Sequence, residues 1–344
     1  MRILFYHNKP SLYSTMLNWT LAEEIRLLGH QVYFLDDFPG DWRPKKGEIN
    51  WVRGGGPTSG DALKTAREIG ARCHLHLEGV AYFRISADSA LNWGYTEEPS
   101  KEVIEKFKAD YRSWMKYAYE ADSCSVNGAN QIKVIQDHLF DGRELPNCHR
   151  LACGADARYA LSLPKVHQKR NYMVTVSRIA PNKQIMKIAE AIALLDHPLP
   201  WVIVGFGDRD YVKMLLKFCK DNNVRVQIKT AFGAEKWYLI NNACLMLCGW
   251  MGIPPSEGIL CDVPVLSYNH PDIIEMYSDS IFWGANNSIY SYSDALNFIL
   301  EPVNRHDVLQ KTWEAKNELL AGGRLYAMTQ EQLAQYYVER IFIR

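Results

Sequence analysis

Apolar runs of four or five residues alternate with longer stretches whose apolar positions recur every three or four residues, along almost the whole chain. The short runs suit buried strands and the longer ones amphipathic helices, so their alternation predicts βαβ units and parallel sheets. The first unit reads as a strand Arg2–Tyr6, a helix Met16–Leu28 stopped by Gly29, and a strand Gln31–Leu35. A strand Asn50–Arg53 then runs into Gly54-Gly55-Gly56-Pro57, followed by a helix Ser59–Ile69 and a strand Arg72–Leu77. Leu161–Arg170 (LSLPKVHQKR) is polar and aperiodic and contains Pro164, which reads as a linker. The pattern restarts with a strand Tyr172–Val176, a helix Ile185–Leu195, a strand Trp201–Val204 and a helix Tyr211–Asn222. Strands Val224–Ile228, Cys244–Cys248 and Val263–Leu266 extend it. The expected architecture is α/β: two Rossmann-like, doubly wound domains, residues 1–165 and 166–325, facing a central cleft, with a last helix in residues 326–344.

Composition narrows the possibilities. The 344 residues are 47% apolar, enough for two cores, and 39 basic side chains balance 39 acidic ones. A chain without net charge has no global field for a nucleic-acid backbone, so nucleic acid is not an expected partner and any anion site must be local. Eight cysteines are scattered without a CxxC pair, which fits free thiols in a reducing compartment rather than disulfides or structural zinc. The N-terminal MRILFYHNKP lacks the features of a signal peptide, and no window approaches the roughly 18 apolar residues of a membrane span. A cytoplasmic location is expected, with membrane contact at most peripheral. The helix Val103–Ala121, which mixes Lys106, Lys108, Arg112 and Lys116 with Tyr111, Trp114 and Tyr117, is the candidate for that contact; an ordinary surface helix is the alternative.

Ligands of doubly wound domains bind at the carboxyl ends of the strands. The loop after the first strand, NKPSLYST, lacks GxGxxG, which argues against a nicotinamide-dependent dehydrogenase. In VTVSRIAPNKQI, Arg178 and Lys183 lie between a strand and the next helix, where two cations can hold a diphosphate or simply face solvent. In VIVGFGDRD, Gly205 and Gly207 permit close approach of a ligand or of a neighbouring backbone. Asp208-Arg209-Asp210 suits a helix start better than a metal site. In GWMGIPPSEGILCDVPVL, Pro254 and Pro255 suit a first helical turn, with Gly252 and Ile253 before it exposing backbone N–H groups. Glu257 in that helix could accept ribose hydroxyls or serve the helix end.

Together these segments resemble the family 4 retaining glycosyltransferases of GT-B fold. The resemblance covers most of the chain and is carried by SRIAPNK, VIVGFG, the helix AEKWYLINNA, and GIPPSEGILCDVPVL, which is similar to the family's GLPxxEAMACGxPV. It implies that Arg178 and Lys183 bind the diphosphate of a nucleotide sugar, that Glu257 binds its ribose, and that Gly205, Gly207, Gly252, Ile253 and Pro254 belong to the donor site. CHLHLE looks like the family's HxH element, which would turn His76 toward the donor sugar, and CGADARY is similar to a turn that precedes the interdomain linker. The resemblance also implies that the final helix, Thr329–Ile341, crosses back to the first domain. Two positions depart from the pattern: Gly249 stands at the family's first glutamate, and Asp262 replaces a glycine-like residue. The N-terminal loop lacks the family's paired glycines, leaving Ser11, Tyr13 or Ser14 for the acceptor side.

The implied activity is retaining, metal-independent transfer of a hexose from a UDP- or GDP-linked donor to a glycan, lipid or other hydroxyl acceptor, with His76, Arg178 and Lys183 as the catalytic set and no cofactor. The alternatives are a non-catalytic nucleotide-sugar-binding subunit, made plausible by Gly249, or another GT-B enzyme such as a nucleotide-sugar epimerase.

Overall fold

A computed structural model of the chain describes residues 1–7, 16–38, 44–77, 100–151, 154–166, 171–249, 252–269, 271–284, 288–322 and 327–343. They form two compact units, each built on a six-stranded parallel sheet. One unit runs to Gly154 and takes the chain back from Gln330; the other spans Ala155–Thr329.

In the first unit the strands are β1 (Arg2–Phe5), β2 (Gln31–Phe34), β3 (Trp51–Gly55), β4 (Arg72–His76), β5 (Ser123–Val126) and β6 (Cys148–Arg150), in the order β2-β1-β3-β4-β5-β6. Helices α1 (Met16–Leu27), α2 (Ser59–Ile69), α3 (Lys101–Met115) and α4 (Ala129–Leu139) connect them. Local signals explain the boundaries. Gly70 closes α2 at φ 67°, a conformation costly for most residues, and the Ser100 hydroxyl caps α3 by accepting from Val103 N. Strand alternation divides the side chains between two faces. Val52, Cys73, Leu75, Cys124 and Val126 enter a core with Ala62, Leu63, Trp114 and Ile135. The other face carries Trp51, Arg53, His74, His76, Ser123 and Ser125, all buried.

The C-terminal segment covers that second face. Its helix α13 (Gln330–Tyr336; the intervening helices are named below) passes into a π-helical turn Tyr337–Phe342. The Trp51 indole donates to Phe342 O at 2.8 Å, and Arg53 Nε donates to the Tyr337 hydroxyl at 3.2 Å. The Arg53 guanidinium lies 5.0 Å from the Phe5 ring centre and 5.3 Å from that of Tyr337, so its charge is buried between aromatic faces.

In α3, Tyr111 and Trp114 belong to the core, while Lys108 pairs with Glu105 at 2.9 Å and Arg112 Nε donates to Leu139 O at 2.7 Å. Of the three rings that made this segment a candidate for a membrane surface, Tyr111 and Trp114 therefore face inward and Tyr117 is partly buried against the same core. Among the described residues no helix is long and apolar enough to cross a membrane.

The second unit opens with α5 (Ala157–Ser162), whose Tyr159 ring lies 5.8 Å from that of Trp237. That contact places the start of the polar stretch Leu161–Arg170 in this unit. Its strands are β7 (Met173–Val176), β8 (Trp201–Val204), β9 (Val226–Lys229), β10 (Leu245–Cys248), β11 (Val265–Tyr268) and β12 (Phe282–Gly284), in the order β12-β11-β10-β7-β8-β9. Helices α6 (Ile185–Ala193), α7 (Arg209–Asp221), α8 (Gly233–Asn242), α9 (Pro254–Leu260), α10 (Pro271–Tyr277), α11 (Ile289–Leu300) and α12 (Arg305–Ala321) complete it. Central strands are apolar almost throughout, as a sheet buried on both faces requires. Thr175 accepts from the Trp201 indole and donates to Leu247 O, each at 2.9 Å, whereas Ser267 in β11 is equally buried and its hydroxyl has no hydrogen-bond partner among the described residues.

Candidate functional site

In the second unit, the loops at the carboxyl ends of β7, β8 and β10 bring the candidate donor residues together. Arg178 follows β7 and is exposed; Lys183 ends a 3-10 turn, Pro181–Lys183, immediately before α6. Gln184 joins turn to helix at φ 54°, so the chain reverses sharply there.

Gly205 and Gly207 serve the backbone. A side chain on Gly205 would run into the carbonyl oxygen of Ser177, and one on Gly207 into that of Ile179. Ile179 N donates to Phe206 O at 2.7 Å and Ser177 N to Val204 O at 3.1 Å. Of the two uses that the sequence left open, the described contacts are those of a neighbouring chain segment. Asp208 caps α7, its Oδ1 accepting from Asp210 N at 2.9 Å and Tyr211 N at 3.1 Å.

Gly249 follows β10 and packs on the same turn as Lys183. A Cβ there would collide with the Lys183 carbonyl oxygen and press on Gln184 Cβ at 3.1 Å. The adjoining Cys248 thiol reports its surroundings. Burial first, and the Glu257 carboxylate second, push its pKa up, while the Lys183 ammonium acts in the opposite direction. Lys183 and Glu257 thus both lie within electrostatic reach of the Cys248 thiol.

Glu257 belongs to α9, which starts with Pro254 and Pro255. Proline has no N–H, so two of the first three helical positions offer no donor, which leaves the backbone N–H groups of Gly252 and Ile253 as the candidates at this helix start. Gly252 and Ile253 precede the helix and are half-buried, as is Pro254. The Glu257 side chain is 8% exposed and its Oε1 accepts from Lys236 Nζ at 2.6 Å. Lys236 comes from α8, with its ammonium 4.6 Å from the Trp237 ring centre. Lys236 was within reach of the sequence, inside the helix AEKWYLINNA, but nothing in the spacing linked it to a glutamate 21 residues away.

The turn after α9 explains Asp262. It sits at φ 54°, with Asp262 N donating to Ile259 O at 3.1 Å and Val263 N to Gly258 O at 2.9 Å, the Schellman pattern that favours glycine. Aspartate tolerates this conformation better than most residues, and its carboxylate pairs with Lys316 at 2.9 Å.

In the first unit, His76 ends β4 and is 6% exposed. Its Nδ1 lies 2.7 Å from Ser125 Oγ, which also lies 2.9 Å from His74 Nε2; His74 Nδ1 lies 2.8 Å from Ser123 Oγ. Burial, then Arg53, His76 and His149, hold the His74 pKa well below the ordinary histidine value. The two serines were missed in the sequence, although their signal is there: HLH in β4 faces SCS in β5 in parallel register. Ser11, Tyr13 and Ser14 lie outside the described residues.

Residues 164–313 match the family model described as glycosyl transferases group 1. The fold is similar to that of HepE from Anabaena, solved in complex with UDP-glucose, at a TM-score of 0.72 and 15% identity over 100% of both chains. It is also similar to sucrose-phosphate synthase from Thermosynechococcus elongatus, at 0.71 and 12% identity over 98% of this chain and 97% of that one. A glycosyltransferase from Rickettsia africae ESF-5 matches at 0.68 and 12% identity over 99% and 97%. No curated protein matches the chain in sequence. The two parallel six-stranded sheets thus share the GT-B fold of these structures, and the second unit carries the segment similar to the glycosyl transferases group 1 model.

Proposed function

We propose that the chain is a retaining, metal-independent glycosyltransferase that moves a hexose from a nucleoside-diphosphate sugar to a hydroxyl acceptor on a glycan or lipid. The observation that carries this reading is the packing of Gly249, at the carboxyl end of β10, against the turn that bears Lys183, with Arg178 on the same loop and the buried Glu257 within electrostatic reach of the adjoining Cys248. A cation at that edge suits a diphosphate, and a buried carboxylate suits a ribose diol. The HepE structure with UDP-glucose favours a UDP-linked hexose.

In this mechanism the bond between C1 of the sugar and the diphosphate oxygen breaks as the acceptor oxygen bonds to C1 from the same face. The acceptor's proton passes to the departing phosphate oxygen. Arg178 and Lys183 stabilise the charge that develops on the diphosphate. Peripheral membrane contact and a cytoplasmic location remain part of the proposal for a lipid acceptor.

Gly249 supports a second reading, a subunit that binds nucleotide sugar without transferring it. Incubation with a panel of UDP- and GDP-sugars, with and without a chelator and followed by mass spectrometry, decides between the two. Nucleotide release that survives chelation supports metal-independent transfer, and binding without release supports the subunit. An altered sugar on intact nucleotide would instead identify an epimerase.

A further inference from the structure

The row Ser123, His74, Ser125, His76 has a direction. All four side chains are buried, with exposures between 0% and 6%. The contacts run Ser123 Oγ to His74 Nδ1 at 2.8 Å, His74 Nε2 to Ser125 Oγ at 2.9 Å, and Ser125 Oγ to His76 Nδ1 at 2.7 Å. His74, enclosed and beside the Arg53 guanidinium, stays neutral, so its ring carries one N–H and one acceptor nitrogen.

Two continuous arrangements satisfy that ring. In the first, Ser123 donates to His74 Nδ1, His74 Nε2–H donates to Ser125, and Ser125 donates to His76 Nδ1. In the second every bond is reversed, and the Ser123 proton must find another acceptor. Among the described residues the Ser123 hydroxyl has one hydrogen-bond partner, His74. The reversed row therefore strands a buried hydroxyl proton, which folded proteins avoid. A third arrangement, with both rings donating to Ser125, strands the Ser125 proton in the same way. Only the first arrangement places every hydroxyl proton of the row on a ring nitrogen.

We propose that this row is a tautomer relay in which Ser123, His74 and Ser125 act as positioning residues that hold His76 Nδ1 as an acceptor and so select the tautomer with its proton on Nε2. The first unit then offers a hydrogen-bond donor, and not a general base, to an oxygen of a bound sugar. The ligand half of this statement rests on the glycosyl-transfer reading; the tautomer half does not.

The test is a ring-nitrogen correlation spectrum of the full-length protein labelled with ¹⁵N-histidine, recorded above pH 7. The expected His76 pattern has Nε2 protonated and Nδ1 bare. Ser123→Ala should bring the Nδ1–H form of His76 to a comparable population, and Ser123→Thr, which keeps the hydroxyl, should restore the original form. A wild-type His76 protonated on Nδ1 would overturn the relay whether or not any variant folds. An unchanged pattern in a Ser123→Ala protein with an intact melting transition would overturn the role of Ser123 as its head. A protonated Nε2 in a protein that releases no nucleotide from any donor would leave the relay standing and sink the functional reading. Turnover with the opposite tautomer would do the reverse.

Discussion

A glycine stands at position 249 because the Lys183 carbonyl occupies the space where its side chain would go. Installing the acidic residue that the family pattern carries there, Gly249→Glu, should therefore destabilise the second unit. We expect a loss of about 1–3 kcal/mol from overpacking, read as a melting midpoint lower by a few degrees, with no gain in turnover. Lys183 is the residue whose ammonium the proposed reaction uses. Lys183→Ala should lower donor turnover by roughly 100-fold or more with folding intact, since one preorganised charge contact at a developing anion is typically worth several kcal/mol; steady-state kinetics with the preferred donor checks this. Lys236 acts differently. Its removal in Lys236→Met leaves Glu257 with an unpaired charge, at a cost of about 2 kcal/mol in urea unfolding, between exposed and fully buried pairs. Adding Glu257→Gln to Lys236→Met should recover part of that loss. The candidate cations and Glu257 were legible because their spacing from strand ends is local. The Lys236–Glu257 pair was not, because α8 and α9 meet only when β10 is laid into the sheet.

At the scale of elements, the C-terminal segment shows how one helix completes a sheet it is far from in sequence. Periodicity alone placed a helix near its observed position, but the choice of surface is made by Trp51 and Arg53, whose polar atoms find partners on Phe342 and Tyr337. Trp51→Phe keeps the aromatic volume and removes the indole donor, leaving the buried Phe342 carbonyl without that bond. The expected cost is about 1–2 kcal/mol, with faster amide exchange confined to residues after Gln330; uniform loss of protection across the chain would contradict it. The basic and aromatic α3 teaches the opposite lesson. Its composition fitted a membrane surface, but Tyr111 and Trp114 fill the core beside Ala62 and Leu63, because an amphipathic helix shows the same residues whether its apolar side meets lipid or a sheet. Likewise Gly205 and Gly207 announced a close approach without saying of what, and the approach observed is that of the Ser177–Ile179 backbone.

Across the whole molecule, the buried His74 links stability to pH. Its folded pKa lies well below 6.5, first through burial and then through Arg53, His76 and His149. Below about pH 6.5 the unfolded chain takes up a proton that the folded chain refuses, so stability rises with pH through this window and falls as the pH drops. For one proton the slope is about 1.4 kcal/mol per pH unit. Urea unfolding at pH 7.5 and 5.5 should show the loss, and His74→Asn should flatten it; an equal slope in that variant would assign the proton elsewhere. By itself the amino-acid order determined the alternation of strands and helices, the two-sheet α/β class and the local placement of Arg178, Lys183 and Glu257, because each is written within about ten consecutive residues as a hydrophobic period or a turn. Tertiary structure alone decided that Lys236 holds Glu257, that Gly249 must stay bare, and that two serines line up with two histidines. Those facts depend on which strands become neighbours, and a parallel sheet joins segments that lie tens of residues apart.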